Sequence, residues 1–375
     1  ELTGGEGVDK LFGGLGDDTL FGDEEDAELD GGLGHDKVDY RDSDVAIDWA
    51  AANARIEGIE EIIGSDFDDV LVMPTSITGQ LLDSDLIIDG GKGDDTIQGT
   101  ELTNELRGGD DDDIIMGLGG GDVIDGGDGD DLLVGGEDSY LIWPDNDELR
   151  GGAGDDRLVG GYGDDKLYGG ADKDGLLGGK GEDLLHGDEG DDLLAGGEEA
   201  DELYGDAGDD GLVGDEGDDR LFGGIGNDIL VGEEGEDVLN GEAGDDILDA
   251  AQADSNADLL KGEGGSDTFL VNHGDIILDP DRDDRGVIMG GRWLRGGEKT
   301  TPPRNPCDPV PTGPNQDDGT YKGRDGSTYV LTGSTLTASF GGEEVVLQNF
   351  RNGDAGIRLR PSRPDQKQAE CQRDP

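Results

Sequence analysis

An aspartate returns every ninth residue between Gly151 and Asp249, eleven times without a slip: Asp156, Asp165, Asp174, Asp183, Asp192, Asp201, Asp210, Asp219, Asp228, Asp237 and Asp246. A leucine follows each two positions later, from Leu158 to Leu248. The units run from GGAGDDRLV at 151–159 through GDEGDDLLA at 187–195 to GEAGDDILD at 241–249. Their shared register is Gly-Gly/Asp/Glu-x-Gly-x-Asp-x-Leu-x. Such loops offer carboxylate and carbonyl oxygens, no sulfur, and almost no imidazole, with three His in 375 residues. That donor set suits a hard cation that takes six to eight oxygens with loose geometry, so calcium fits best. Magnesium is the weaker choice, because it demands tight octahedral geometry and gives up its waters reluctantly. Acidic turns that were merely solvated would form a column of carboxylates repelling itself along its whole length.

The elements that must position these aspartates follow from the period. A nine-residue unit is too small to bury a core alone, so an unbroken short period means stacked repeats. Glycines at the first, second and fourth positions allow the close approach and positive φ of a tight loop. The last three residues extend as a short strand, with the eighth pointing to one side and the seventh and ninth to the other. If successive units alternate between two parallel sheets, the leucines of both meet in one narrow core and two units make a coil of 18 residues. Asp156, Asp174 and Asp192 then share one edge, and Asp165, Asp183 and Asp201 the other. Strands stack at about 4.8 Å, close enough for a cation to bridge neighbouring loops.

The pattern extends less evenly on either side. An opening block in phase at 4, 13, 22 and 31 carries Asp9, Asp18 and Asp36 in the sixth position but Ala27 in its third unit. A second block starting at 90, 99, 108, 117, 126 and 135 has Asp95, Asn104, Asp113, Asp122, Asp131 and Tyr140 there. Asn104 and Tyr140 depart from the ligand pattern and are expected to lack a full site. Tyr40 to Gln80 reads as an interruption ending in a degenerate unit around Asp69, and Pro144 to Arg150 as a bulge or register break. A three-residue insertion near Ala250 precedes a last unit, GEGGSDTFL, with Asp267.

With these residues in view, the chain resembles the RTX, or haemolysin-type, calcium-binding β-roll proteins, whose repeat is GGxGxDx(apolar)x. The resemblance covers roughly 1–280 and is most specific in 151–249. It implies an all-β, right-handed parallel β-roll, a two-sheet solenoid with a C-terminal β-rich cap. It also implies calcium held between loops by the sixth-position Asp and loop carbonyls, and export by a type I system with folding triggered by calcium outside the cell. The organisation expected is a first repeat block at 1–40, an interruption at 41–89, a second block at 90–143, the main roll at 144–280 and a capping domain at 281–375.

Composition limits the alternatives. Asp and Glu number 95 against 27 Lys and Arg, a formal net charge of −68, and there are 74 glycines. Within 151–249 stand 32 acidic and five basic residues. Without cations this block should stay expanded, since self-repulsion and glycine entropy oppose a core of one Leu per nine residues. Nucleic acid and anionic membrane surfaces are poor partners for such a field, and no apolar run approaches the ~20 residues of a membrane span. The chain starts without Met in mid-pattern, so an upstream catalytic or adhesive domain is expected.

After Asp284 the glycine period stops, and 281–375 holds 14 of the 27 basic residues. The stretches 267–297 and 327–359 alternate apolar residues at strand spacing. They resemble the β-rich segment that closes many such arrays, whose physical task is to cover Leu248 and the unpaired strand edges. A Pro-rich linker spans 301–319. Cys307 and Cys371 form one disulfide or remain two thiols. None of His35, His186 and His273 lies in an H-E-x-x-H setting, and no Ser lies in G-x-S-x-G, so no catalytic signature stands out. Acidic pairs such as Asp155–Asp156 recur in most units and belong to the repeat.

The ninth positions alternate between an aliphatic set, Val159, Leu177, Ala195, Val213 and Val231, and a partly aromatic one, Tyr168, His186, Tyr204, Phe222 and Asn240. Strand propensity accounts for both; a docking face for a partner is the sharper reading. Two functions fit the whole: a non-catalytic calcium-dependent folding module of a secreted toxin or enzyme, or a calcium-stiffened structural or adhesive rod at the cell surface.

Overall fold

A computed structural model describes residues 1–5, 7–23, 28–49, 55–72, 86–136, 146–250, 256–272, 275–278, 286–289, 292–293, 298–299, 319–322, 328–332, 335–340 and 343–348. Among them there is no helix, and hence none long and apolar enough to cross a membrane. Ala27, Tyr140, His273, both cysteines and nearly all of the Pro-rich linker lie outside the described residues. The chain forms two units, Glu1–Gly211 and Leu212–Pro375.

In the first unit parallel strands stack with a register of 18 residues. Arg157, Leu158 and Val159 pair with Gly175, Leu176 and Leu177, and Lys166, Leu167 and Tyr168 with Leu184, Leu185 and His186. Units alternate between two sheets: Glu148–Ala153, Lys166–Ala171, Leu184–Glu189 and Glu202–Ala207 belong to one, and Arg157–Tyr162, Gly175–Lys180 and Leu193–Glu198 to the other. This is the parallel β-roll expected from the period. Each strand is longer than expected, because it runs from the seventh position of one unit through the third of the next. The eighth-position side chains form the core, and Leu149, Leu158, Leu167, Leu185 and Leu203 are fully buried.

The expected interruption at 41–89 also contributes coils. Arg55–Glu57 pairs with Glu28–Asp30, Glu61–Ile63 pairs with both Lys37–Asp39 and Leu86–Lys92, and Val70–Val72 pairs with Thr96–Gln98. Tyr40, Ile47 and Trp49 are buried here, with the Tyr40 and Trp49 rings edge to face at 6.1 Å. Of the two alternatives for Pro144–Arg150, a bulge or a register break, the strand pairing excludes the break. Glu148, Leu149 and Arg150 pair in register with Val123, Ile124 and Asp125, so the strand ladder continues in register across seven extra residues.

The second unit repeats the architecture. Arg220–Ile225 pairs with Val238–Ala243, Ile247–Asp249 with Thr268–Leu270, and Leu259–Lys261 with Ile276–Leu278. Leu248 is not the last core layer, because it lies beside buried Phe269, which in turn faces Val287. Gly319–Lys322, Thr328–Thr332, Thr335–Phe340 and Glu343–Gln348 form an antiparallel meander. Its last strand adds in parallel to Ile276–Leu278, so this strand of the roll does not end as an open edge.

Candidate metal centres

The loop glycines have distinct tasks. Positive φ occurs at the second and fourth positions, as at Gly152 and Gly154. The second position is also crowded, a Cβ on Gly152 lying 2.1 Å from the Gly127 carbonyl oxygen, but at the first position the crowding comes from the ligand atoms: a Cβ on Gly151 would lie 2.2 Å from Asp156 Oδ2 and 2.5 Å from the Gly169 carbonyl oxygen. The same crowding recurs at Gly108, where Asp113 Oδ2 and the Gly126 carbonyl stand 2.0 and 2.6 Å away, and at Gly160, with Asp165 Oδ2 and the Gly178 carbonyl at 2.4 and 2.8 Å. A carboxylate oxygen and a carbonyl oxygen of the next coil therefore converge on one small space in these loops, and a methyl group would fill it.

In the regular coils the sixth-position carboxylate divides its two oxygens between separate tasks. Oδ1 reaches back one coil to accept a backbone N–H. Along one edge Asp95 accepts from Asp69, Asp113 from Asp95, Asp131 from Asp113, Asp156 from Asp131, Asp174 from Asp156, Asp192 from Asp174 and Asp210 from Asp192, at 2.7–2.9 Å. Along the other edge Asp122 accepts from Asn104, Asp147 from Asp122, Asp165 from Asp147, Asp183 from Asp165 and Asp201 from Asp183, at 2.7–2.8 Å. In the second unit Asp237 accepts from Asp219 and Asp246 from Asp228. Oδ2 points into the loop. In Asp36, Asp95, Asp113, Asp131, Asp156, Asp165, Asp174, Asp183, Asp192 and Asp246 it is buried and has no hydrogen-bond partner.

A buried carboxylate oxygen with no donor is costly, and the acidity of these groups reflects it. Burial pushes Asp95 and Asp165 up to about 8, Asp113, Asp156, Asp174 and Asp246 to about 7, and Asp131, Asp183 and Asp192 to about 6. The backbone N–H bond to Oδ1 pulls each of them down, and in most loops neighbouring carboxylates push it further up. A cation in the loop removes the cost that burial imposes. The donor set is all oxygen, the space is bounded by a glycine, and the ligand atoms come from adjacent coils. These residues fit calcium.

The fifth position forms a second ladder that the repeat alone did not reveal. Here the side chain reaches forward: Asp130 Oδ1 accepts from Asp155 N–H at 2.9 Å and Asp155 Oδ1 from Lys173 N–H at 3.0 Å. Asparagine serves equally, since Asn146 accepts from Asp164 and Asn227 from Asp245. These groups are exposed, and the amide's acceptance shows that the bond needs an oxygen and not a charge.

The described residues bring several others into the sixth-position column. Asp147, not Tyr140, completes the unit that begins at Gly135: Asp147 is buried, and a Cβ on Gly135 would lie 2.1 Å from its Oδ2. The sequence signal was the motif's second half, DELRGG, displaced by the insertion. Asp258 accepts from Asp237 and Asp275 from Asp258, each in a D-x-apolar-x segment without the preceding glycines. Glu60 accepts from Asp36 N–H at 2.7 Å, so a glutamate takes the place in that coil. Asp267 accepts from Asp246 at 3.0 Å.

Two places in the column differ. Asp69 uses both oxygens on protein donors: Ile47 N–H, Ser65 N–H and the Ser65 hydroxyl. Asn104 folds its side chain onto its own loop, with Oδ1 accepting from Thr100 N–H at 2.6 Å. In the opening block Asp36 is fully buried, whereas Asp9 and Asp18 are half-buried.

A family model for the RTX calcium-binding nonapeptide repeat matches residues 2–38, 87–101, 107–142, 144–176, 177–212, 186–221 and 213–248. The chain belongs to the RTX calcium-binding repeat family. The RTX matches together span about half of the sequence and include the coils in which the sixth-position ladder is most regular. RTX nonapeptide repeats are calcium-binding motifs, in agreement with the oxygen-only donor set of these loops. A search among curated proteins returned no match to the chain.

Proposed function

We propose that this RTX array is a calcium-dependent folding module of an exported protein, disordered where calcium is scarce and folded outside the cell, where it stabilises the protein it is part of or assists its export. The observation that carries this reading is the column of buried Oδ2 atoms without hydrogen-bond donors. A fully buried Leu contributes about 2–3 kcal/mol, while ordering a residue's backbone costs about 1–2 kcal/mol, and each unit orders nine residues around one such Leu. Cation binding and folding are then a single process.

The residues that would hold calcium are the sixth-position aspartates, with first-position glycine carbonyls of the neighbouring coil. Affinities of about 10⁻⁴–10⁻³ M are usual for extracellular calcium modules, and such sites stay empty inside a cell. We assign the module no catalytic step. The alternative is that the acidic array displays a surface domain, and the same calcium dependence would then stiffen it.

Circular dichroism of the full chain in chelator and in millimolar calcium tests the reading. The expected result is disorder in chelator, β structure with calcium, and little response to magnesium. Equal β content in chelator and in calcium would overturn it.

A further inference from the structure

On the outer face of the first unit, the ninth-position column reads Tyr168, His186, Tyr204 in successive coils, in pairing register. The His186 ring is held between the two tyrosines, stacked at 5.5 Å and 9° on Tyr168 and at 4.6 Å and 3° on Tyr204. His186 is half-buried, and the stacking fixes its orientation. Its Nδ1 lies 2.8 Å from Asp206 Oδ2.

The second-position residues beside this column are Gly152 and Gly170 in two coils, then Asp188 and Asp206 in the next two. One imidazole nitrogen and two carboxylate oxygens, from His186, Asp188 and Asp206, lie within 4.8 Å of one another, and all three residues are half-buried. Among the described residues this is the one cluster of its kind. It faces away from the core and shares no carboxylate with the loop ladders.

We propose that His186, Asp188 and Asp206 form a separate site for a divalent transition-metal ion, of which zinc is the representative. Nitrogen together with carboxylate oxygen is a donor set for zinc, with three protein ligands and water completing the tetrahedron. Calcium, which takes oxygen ligands, is served by the loops instead. The ion takes the place of the proton between Nδ1 and Asp206 and neutralises the second carboxylate. The stacked tyrosines fix the imidazole plane, the kind of support that orients a metal-binding histidine. The site spans two adjacent coils, so its ligands come together only in the folded roll.

The test is zinc titration of the full chain by calorimetry in saturating calcium, with cobalt(II) as a spectroscopic probe and circular dichroism reporting the fold. The expected result is one zinc equivalent, and visible cobalt bands from a nitrogen- and oxygen-bound ion. Affinity should fall at least about tenfold in His186→Phe, which keeps a ring in the stack, and in Asp188→Gly, which restores the residue of the preceding coils. The calcium midpoint should stay unchanged in both. If His186→Phe fails to fold, Asp188→Gly carries the comparison. The proposal is overturned if the full chain binds no zinc once calcium is saturating, or if a folded variant takes up zinc as the parent does. Either outcome leaves the calcium titration, and the reading drawn from it, standing on its own.

Discussion

Asp174 caps Asp156 from one coil further along: its Oδ1 accepts the Asp156 N–H at 2.9 Å, while its Oδ2 is buried in its own loop without a hydrogen-bond partner. One oxygen sets the coil spacing and the other is left for a cation. The fifth position bonds in the opposite sense, from Asp155 forward to Lys173. The two ladders grip each pair of loops from both sides.

The first prediction separates charge from hydrogen bonding. Asp174→Asn keeps an oxygen for the Asp156 N–H but puts an amide where the cation should lie. It should weaken the calcium-bound form by about 2–3 kcal/mol, the scale of a hydrogen bond to a charged group with its partner left buried. Asp155→Asn should change little, because Asn146 and Asn227 already do that work. Calcium titrations followed by circular dichroism compare the two, and equal shifts would show that the sixth position acts only as a backbone cap.

A second comparison uses a column member whose carboxylate the protein itself satisfies. Asp69 accepts from Ile47 N–H, Ser65 N–H and the Ser65 hydroxyl, whereas Asp165 Oδ2 is buried without a donor. Asp165→Ala should lower the number of calcium ions bound and flatten the titration, since each loop shares its ligands with the next coil. Asp69→Ala should lower thermal stability with the calcium count unchanged. Equilibrium dialysis gives the count, and a loss of calcium in Asp69→Ala would place an ion there too.

What was legible in the sequence was what repeats. Asp156 to Asp246 and Leu158 to Leu248 keep a strict spacing, and strand alternation turns that spacing into one core and two edges. Asp147 was hidden because a seven-residue insertion broke the loop count while the strand kept its register, since insertions are cheap in loops and costly in ladders. Glu60 was hidden because a longer carboxylate reached the same N–H from a loop without the motif. The forward ladder of Asp155 depends on which way a side chain turns, and His186 on its neighbours 18 residues away. Neither is a property of a local pattern.

Acidity should substitute in part for calcium. Burial raises the folded-state pKa of Asp95 and Asp165 to about 8 and of Asp156 and Asp174 to about 7, from an ordinary value of 3.8. Folding without calcium therefore takes up protons. The contribution of these groups is complete below pH 3.8 and is lost as pH rises through about 7–8. In chelator, β content should rise as pH falls from 8 towards 4. A chelated chain equally disordered at both ends of this range would mean that the buried carboxylates do not control folding.

Gly178 and Gly179 are neighbours whose replacements should differ sharply. A Cβ on Gly178 would lie 2.3 Å from Asp183 Oδ2 and 2.8 Å from the Gly196 carbonyl, in the space assigned to the ion. Gly178→Ala should cost about 3 kcal/mol, as overpacking does, and should raise the calcium midpoint. Gly179 sits at the second position: at its φ of +121° a Cβ would lie 2.3 Å from the Gly161 carbonyl oxygen, yet at the same position Asp188, Asp206 and Asp215 are accommodated at φ of 69°, 67° and 73°. Gly179→Asp can relax to that geometry at about 1 kcal/mol and should leave the midpoint nearly unchanged. The ordering matters more than either value, because φ and the Gly161 carbonyl together would make Gly179 the more sensitive of the two if its backbone could not relax to the geometry of Asp188. If Gly179→Asp proves the more damaging, backbone conformation rather than ligand space limits these loops, and the placement of the ion beside the first-position glycine is wrong.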